Sequence, residues 1–198
     1  EIVIGDWSSD VCSSDLSSIV AETLQYHLLK EIVDENPFLG KFYDNIEEWS
    51  FQTEMFFLCN RYKQLTDIHS ILDQQRPVVA DYHIFKNLIF AKRTLKLSEY
   101  VKYEAIYNIL TADMPVPNVV IYLHATVDTL MQRIEMRGRE FERLIARDYM
   151  EQLVNDYHIF IFVHLGRGNF TCNDFTKQTV FHNFSPLDFI NKTLRQNK

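Results

Sequence analysis

The chain runs to 198 residues, enough for one domain with a substantial core. Hydrophobic residues make up 46% and charged residues 24%, with 5 Gly and 5 Pro, which excludes a disordered or collagen-like chain. A net charge of −7 speaks against a dedicated nucleic-acid binder, which carries a basic face, yet leaves room for a small anion held by local arginines.

In chain order, the first sixteen residues differ from the rest. From Asp6 to Leu16 the chain is rich in Ser and Asp, repeats Ser-Ser-Asp and shows no helical or strand period. A helix is expected from Ser17 and Ser18, with Val20, Leu24 and Leu28 on one face. A long helix is expected from about Glu47 to Leu72, where Phe51, Met55, Leu58, Tyr62, Leu65 and Leu72 make one stripe. The run from Arg76 to Asp81 reads as a buried parallel strand ending in an acid. Helical pattern resumes from His83 to about Arg93 and from Glu99 to about Ala112, then Pro115 and Pro117 break it. Asn118 to His124 is the clearest buried strand. A helix from Val127 to Met136 follows, with Gly138 as its stop, and another covers about Asp148 to Phe162. In the tail, Thr179 to His182 suggests a strand, and Ser185 with Pro186 suggests the start of a last helix.

Strands separated by helices mean an α/β fold with a parallel sheet, whose ligands sit beyond the carboxyl ends of the strands. No stretch reaches the roughly 18 apolar residues of a membrane span. Cys12, Cys59 and Cys172 are odd in number and far apart, which points to a reducing compartment and hence to the cytoplasm. The first residues carry neither the basic nor the apolar region of a signal peptide.

Three constellations could carry chemistry. Asp81, at a strand end, could hold Mg2+ through water or take a proton, or simply cap the next turn. Arg133, Arg137 and Arg139 could clamp a phosphoryl group, or form a solvated basic helix end. Glu54 and Arg61 lie two turns apart on one side of the long helix. They could read the edge of a base, or form a surface ion pair.

The segments Lys30 to Phe38, Trp49 to Phe51, Val79 to Asp81 and Arg133 to Arg139 occur in an order and at spacings that resemble the deoxynucleoside kinase family, most closely its bacterial deoxyguanosine and deoxyadenosine kinase branch. The resemblance covers about Ser17 to Leu165. It implies a three-layer P-loop kinase-like fold, a parallel sheet flanked by helices with a helical lid. It further implies a homodimer that uses ATP and Mg2+, binds a deoxynucleoside, and needs neither nucleic acid nor membrane. Glu31 then faces the 5′-hydroxyl as base or hydrogen-bond acceptor. Asp81 binds Mg2+ or is itself the proton acceptor. Arg133, Arg137 and Arg139 are the lid arginines over ATP, and Tyr43 with Glu142 holds the 3′-hydroxyl. Arg61, Tyr82 and Asn87 join the substrate-binding residues.

A carboxylate only accepts hydrogen bonds, so Glu54 suits the adjacent N1–H and N2–H2 of guanine, while the amide of Asn87 could donate to O6 or N7. Deoxyguanosine is expected over deoxyadenosine. Two departures stand out. Tyr82 and His83 follow Asp81 where many relatives have Arg and Ser. The phosphate loop G-x-x-x-x-G-K-[ST] is absent, and only Ser17 and Ser18 resemble its end, where Ser17 would also touch the metal. Residues 1–16 therefore read as a segment standing in place of the first strand and phosphate loop, joined to a kinase domain over 17–198. Its stretch from about Gly5 to Leu16 looks like translated sequencing-adapter DNA, and the other reading is a real but degenerate kinase. The competing functions are a nucleoside-monophosphate kinase of the thymidylate kinase kind and a non-catalytic nucleoside-binding module.

Overall fold

The computed structural model describes residues 2–5, 10–33, 35–164 and 170–174. Five strands, β1 (Ile2–Gly5), β2 (His27–Leu29), β3 (Val78–Ala80), β4 (Val119–His124) and β5 (Phe170–Asp174), form one sheet in the order β2-β3-β1-β4-β5. Every pairing is parallel. Among the described residues seven α-helices surround it: α1 (Asp10–Leu24), α2 (Leu39–Asp44), α3 (Ile46–Asp73), α4 (Lys86–Thr94), α5 (Leu97–Thr111), α6 (Val127–Arg137) and α7 (Arg147–His164). A 3-10 turn, Glu140–Leu144, links α6 to α7.

The central strands β1 and β3 and most of β4 read as apolar runs because both faces are covered. Along β3, Val78 and Ala80 pack with Leu58, Leu65 and Tyr103 of α3 and α5, while Val79 turns to Leu16 and Val20 of α1. On β4, Val120 joins the first cluster, and Val119, Ile121 and Leu123 join the second. This period of two builds helix, sheet and helix into three layers. A third cluster of Ile89, Leu153 and Tyr157 fastens α4 to α7.

The 28-residue α3 is the main strut. Asn45 caps it, its side chain accepting from the Glu48 N–H at 3.3 Å, with Glu47 and Glu48 in the first turn where the dipole favours them. Its buried stripe of Glu54, Leu58, Arg61, Leu65 and Ile68 steps by four and three residues. Leu58, Leu65 and Ile68 enter the core, each gaining about 1.5–3 kcal/mol from burial. Glu54 and Arg61 ride on the same stripe, so core packing fixes where two ionisable groups stand.

Several boundaries differ from the sequence reading. Ile2–Gly5 forms a strand in the middle of the sheet, inside the segment expected to stand in its place. Helix α1 begins at Asp10, seven residues before Ser17. It also ends at Leu24, because Gln25 takes a left-handed turn with φ 56°, and Leu28 belongs to β2 instead of the helical stripe. Strand β2 and helix α2, of three and six residues, are too short for a period to show. Gly138 does end α6 in the left-handed conformation, with φ 69°, as expected. The suggested strand at Thr179 to His182 and the helix after Ser185 lie outside the described residues.

Candidate active site

Strand β2 ends at Leu29, and two residues later Glu31 stands at the carboxyl edge of the sheet. Asp81 follows β3, the neighbouring strand, and its Oδ1 accepts the backbone N–H of Glu31 at 2.8 Å. Parallel pairing of β2 with β3 in register brings the two acids to one edge.

Glu31 is held by two cations. Arg61 of α3 donates to Oε1 through Nε at 2.9 Å and through a second guanidinium nitrogen, and Lys86 of α4 reaches Oε2 at 2.7 Å. Burial opposes the charge, but Arg61 and Lys86 outweigh it and hold the Glu31 carboxyl at about 2, fully ionised at neutral pH. Arg61 also donates to Oδ1 of Asn87 at 2.6 Å, and the Asn87 amide donates to the Tyr103 hydroxyl at 2.9 Å. Arg61 is thus fixed by Glu31 beyond β2 and Asn87 of α4, and no surface ion pair with Glu54 forms.

A cleft of about 790 Å3, open space at its mouth included, lies over these groups. That is within the range of small-molecule sites. Glu31, Tyr43, Glu54, Arg61, Lys86, Arg137, Arg139 and Glu142 all line the cleft. Leu39, Phe42, Phe57, Phe90 and Tyr149 supply apolar and aromatic surface for a flat ring. Glu142 accepts from Arg137 at 2.9 and 2.6 Å and lies 3.5 Å from Arg139. Glu54 is 3% exposed, and its Oε1 accepts from the Thr94 hydroxyl at 3.3 Å. Burial pushes its carboxyl up to about 7 despite the pull of Arg61, the Thr94 bond and Lys86.

The structure gathers Glu31, Tyr43, Glu54, Arg61, Arg137, Arg139 and Glu142 around one cleft, with Asp81 bonded to the backbone of Glu31. Other expected residues stand elsewhere. Asn87 is fully buried, accepts from Arg61, donates to the Tyr103 hydroxyl, and stands outside the cleft lining. Tyr82 is 2% exposed and donates to Oε1 of Gln64 at 2.9 Å, outside the cleft wall. Arg133 lies on α6 one turn before Arg137, away from the cleft lining. Ser17 and Ser18 are the eighth and ninth residues of α1, and Ser17 is fully buried. Their backbone N–H groups close helical hydrogen bonds and cannot cradle a phosphate at the helix start.

Sequence reasoning missed Lys86. Its one signal was a cation at the first residue of a helix, where the dipole disfavours it. It also missed Thr53 and Tyr149, whose buried hydroxyls line the cleft and have no hydrogen-bond partner among the described residues. A buried orphan hydroxyl is costly, which marks a place where a ligand supplies the partner.

Among the described residues no group of three His, Cys, Asp or Glu side chains stands ready for a metal. Asp81 alone fits Mg2+, which is held through one or two carboxylates with water and phosphate oxygens completing its shell. Ser17, inside α1, does not fit that role.

A five-stranded parallel sheet, with acids beyond the ends of two neighbouring strands and arginines leaning in from a helix and turn after β4, defines a P-loop kinase fold built to phosphorylate a small hydroxyl compound. More narrowly, the chain belongs to the deoxynucleoside kinase family, whose model matches residues 11–196. It is 52% identical over 147 residues to the deoxyguanosine kinase of Bacillus subtilis (strain 168), covering 74% of this chain and 71% of that protein. With the deoxyadenosine/deoxycytidine kinase of the same organism it shares 33% identity over 156 residues, 76% of this chain and 72% of that one. Among solved structures, the deoxyadenosine kinase from M. mycoides with bound dCTP superimposes with a TM-score of 0.82 at 25% identity, covering 98% of both chains. No helix among the described residues is long and apolar enough to cross a membrane.

Proposed function

We propose that this chain transfers the γ-phosphate of ATP to the 5′-hydroxyl of deoxyguanosine, with deoxyadenosine the poorer substrate, as a cytoplasmic homodimer. The observation that carries the reading is Glu31, kept ionised by Arg61 and Lys86 in a cleft that Glu54 also lines. The 5′-oxygen bonds to the γ-phosphorus, the bond from that phosphorus to the bridging oxygen breaks, and ADP leaves with its electron pair. The hydroxyl proton passes to the Glu31–Asp81 pair. In so loose a transition state the carboxylate chiefly aligns the hydroxyl, so a low proton affinity at Glu31 is no handicap.

Glu54 as carboxylate accepts from N1–H and N2–H2 of guanine, and Arg61, on the same helix stripe, donates to the acceptors of the base. Tyr43 and Glu142, together on the cleft, suit a 3′-hydroxyl. Arg137 and Arg139 sit where the transferred phosphoryl group enters, and Arg133 lies farther out along the same helix. Mg2+, when bound at Asp81, neutralises charge on the phosphates.

The donor side is the weak half of the chain as written. The four residues between β1 and α1 and the first turns of α1 hold no lysine, and no glycine follows Gly5 there. We infer that the stretch from about Gly5 to Leu16 is foreign to the kinase domain. A calorimetric titration with deoxyguanosine, deoxyadenosine and deoxycytidine tests the acceptor assignment without needing ATP. Micromolar binding with deoxyguanosine tightest is expected, and tighter binding of deoxycytidine would overturn it.

A further inference from the structure

Resting on that function, we propose that Lys86 contacts the transferred phosphoryl group directly, supplying beside the 5′-oxygen a positive charge that the residue after Asp81 does not carry. Four observations converge on it. Lys86 is the first residue of α4, where its charge opposes the helix dipole, so the helix gains nothing from it. Its side chain is only 12% exposed, folded inward over Phe90 with Nζ 6.0 Å from the ring centroid, when a lysine at a helix start could reach solvent. Its ammonium has three donors, and among the described residues Glu31 Oε2 is its hydrogen-bond acceptor, so two donors are left for a ligand. Tyr82, the residue next to Asp81, is turned into the core toward Gln64 and carries no charge.

Charge counting gives the same answer. Arg61 by itself is enough to pair with Glu31, and it already holds Oε1 by two nitrogens. Lys86 is a second cation on the same carboxylate. Among the described residues, the cleft lining as a whole sets four cations, Arg61, Lys86, Arg137 and Arg139, against three carboxylates, Glu31, Glu54 and Glu142. The walls therefore carry more positive than negative charge in a chain whose net charge is −7. An uncharged nucleoside has no use for that surplus, whereas a phosphoryl group with charge spread over three oxygens does. Lys86 is placed on the surplus side because its partner Glu31 is the group that faces the 5′-oxygen.

The test compares two ligands that differ only at that oxygen, deoxyguanosine and its 5′-monophosphate, titrated by calorimetry without ATP. For the full chain carrying Lys86→Met, monophosphate affinity should fall at least tenfold more than nucleoside affinity does. Lys86→Arg should restore the monophosphate to within threefold. Lys86→Gln gives the same reading should the methionine variant fail to fold. Equal losses for both ligands, or no loss for either, would overturn the role of Lys86. If the unmodified chain does not take up deoxyguanosine at all, it is instead the function proposed above that fails.

Discussion

The backbone N–H of Glu31 donates to Oδ1 of Asp81 at 2.8 Å, so the acid after β3 sets the position of the acid after β2. Asp81→Asn keeps an oxygen acceptor for that N–H but loses the charge that suits Mg2+. Its deoxyguanosine affinity is expected within threefold of the unmodified chain, with the Mg2+-dependent part of nucleotide binding lost. Asp81→Ala removes the acceptor too and leaves the Glu31 segment loose, costing about 1–2 kcal/mol, or roughly tenfold in deoxyguanosine affinity. Calorimetry with and without Mg2+ separates the two variants.

Glu54 should make guanine binding depend on pH. Only its carboxylate form accepts from both guanine donors, and burial holds the group at about 7 in the free chain. Deoxyguanosine affinity should therefore rise with pH and level off above 8, and be about tenfold weaker at pH 6, where most of Glu54 is protonated. Glu31, held at about 2, contributes no such limb in this range. Glu54→Gln should abolish the slope and move selectivity from deoxyguanosine toward deoxyadenosine and deoxycytidine. Nucleoside titrations between pH 5.5 and 8.5 read both effects; these pH limits are about one to two units either side of the Glu54 midpoint.

The same shift bears on stability. The folded chain keeps a proton on Glu54 up to about 7 that the unfolded chain gives up near 4.5, so stability falls as pH rises between those values. The full penalty, on the order of 3 kcal/mol, is present above the folded value. Glu54→Gln should raise the melting temperature at about pH 8 by several degrees and leave it almost unchanged at about pH 5. A gain as large at the lower pH would show that the carboxyl is not the source.

Much of this was legible in the sequence wherever long periodic patterns carried it. The stripe from Phe51 to Leu72 and the runs ending at Asp81 and His124 located α3, β3 and β4, and with them Glu54, Arg61 and Asp81. What escaped was three-dimensional pairing. Asn87 looked like a base reader until Arg61 and Tyr103 were found to take up its amide. Lys86 gave no signal of its pairing in the sequence because its partner is 55 residues away. Ser17 looked like the start of the helix because the serines and aspartates before it favour caps and turns, yet they are already helical.

Gly138 ends α6 with φ 69° between Arg137 and Arg139. A Cβ there would meet nothing within 4 Å, so Gly138→Ala costs only the backbone conformation, about 1 kcal/mol. Thermal unfolding should show a small loss. Monophosphate affinity should drop more than nucleoside affinity, because the turn aims the two arginines while Glu31 and Glu54 stand on other elements.

The strongest prediction concerns the join between β1 and α1. Phosphoryl transfer is almost entirely positioning and electrostatic stabilisation, and a helix start with free N–H groups and a lysine supplies much of it. Here aspartates Asp6, Asp10 and Asp15 occupy the stretch instead, and like charge repels a triphosphate. Replacing residues 5–16 by a glycine-rich loop ending in Gly-Lys-Ser ahead of Ser18 should raise turnover with ATP and deoxyguanosine by roughly a thousandfold or more. Nucleoside affinity should stay within threefold, since the acceptor cleft is lined from the segment after β2, from α2, α3, α4, α6 and α7, and from the turn between the last two, with no described residue of 5–16. Normal kinase rates in the unmodified chain would sink the idea that this stretch is foreign. A restored loop that leaves turnover unchanged would instead mean that the defect lies in the cleft itself.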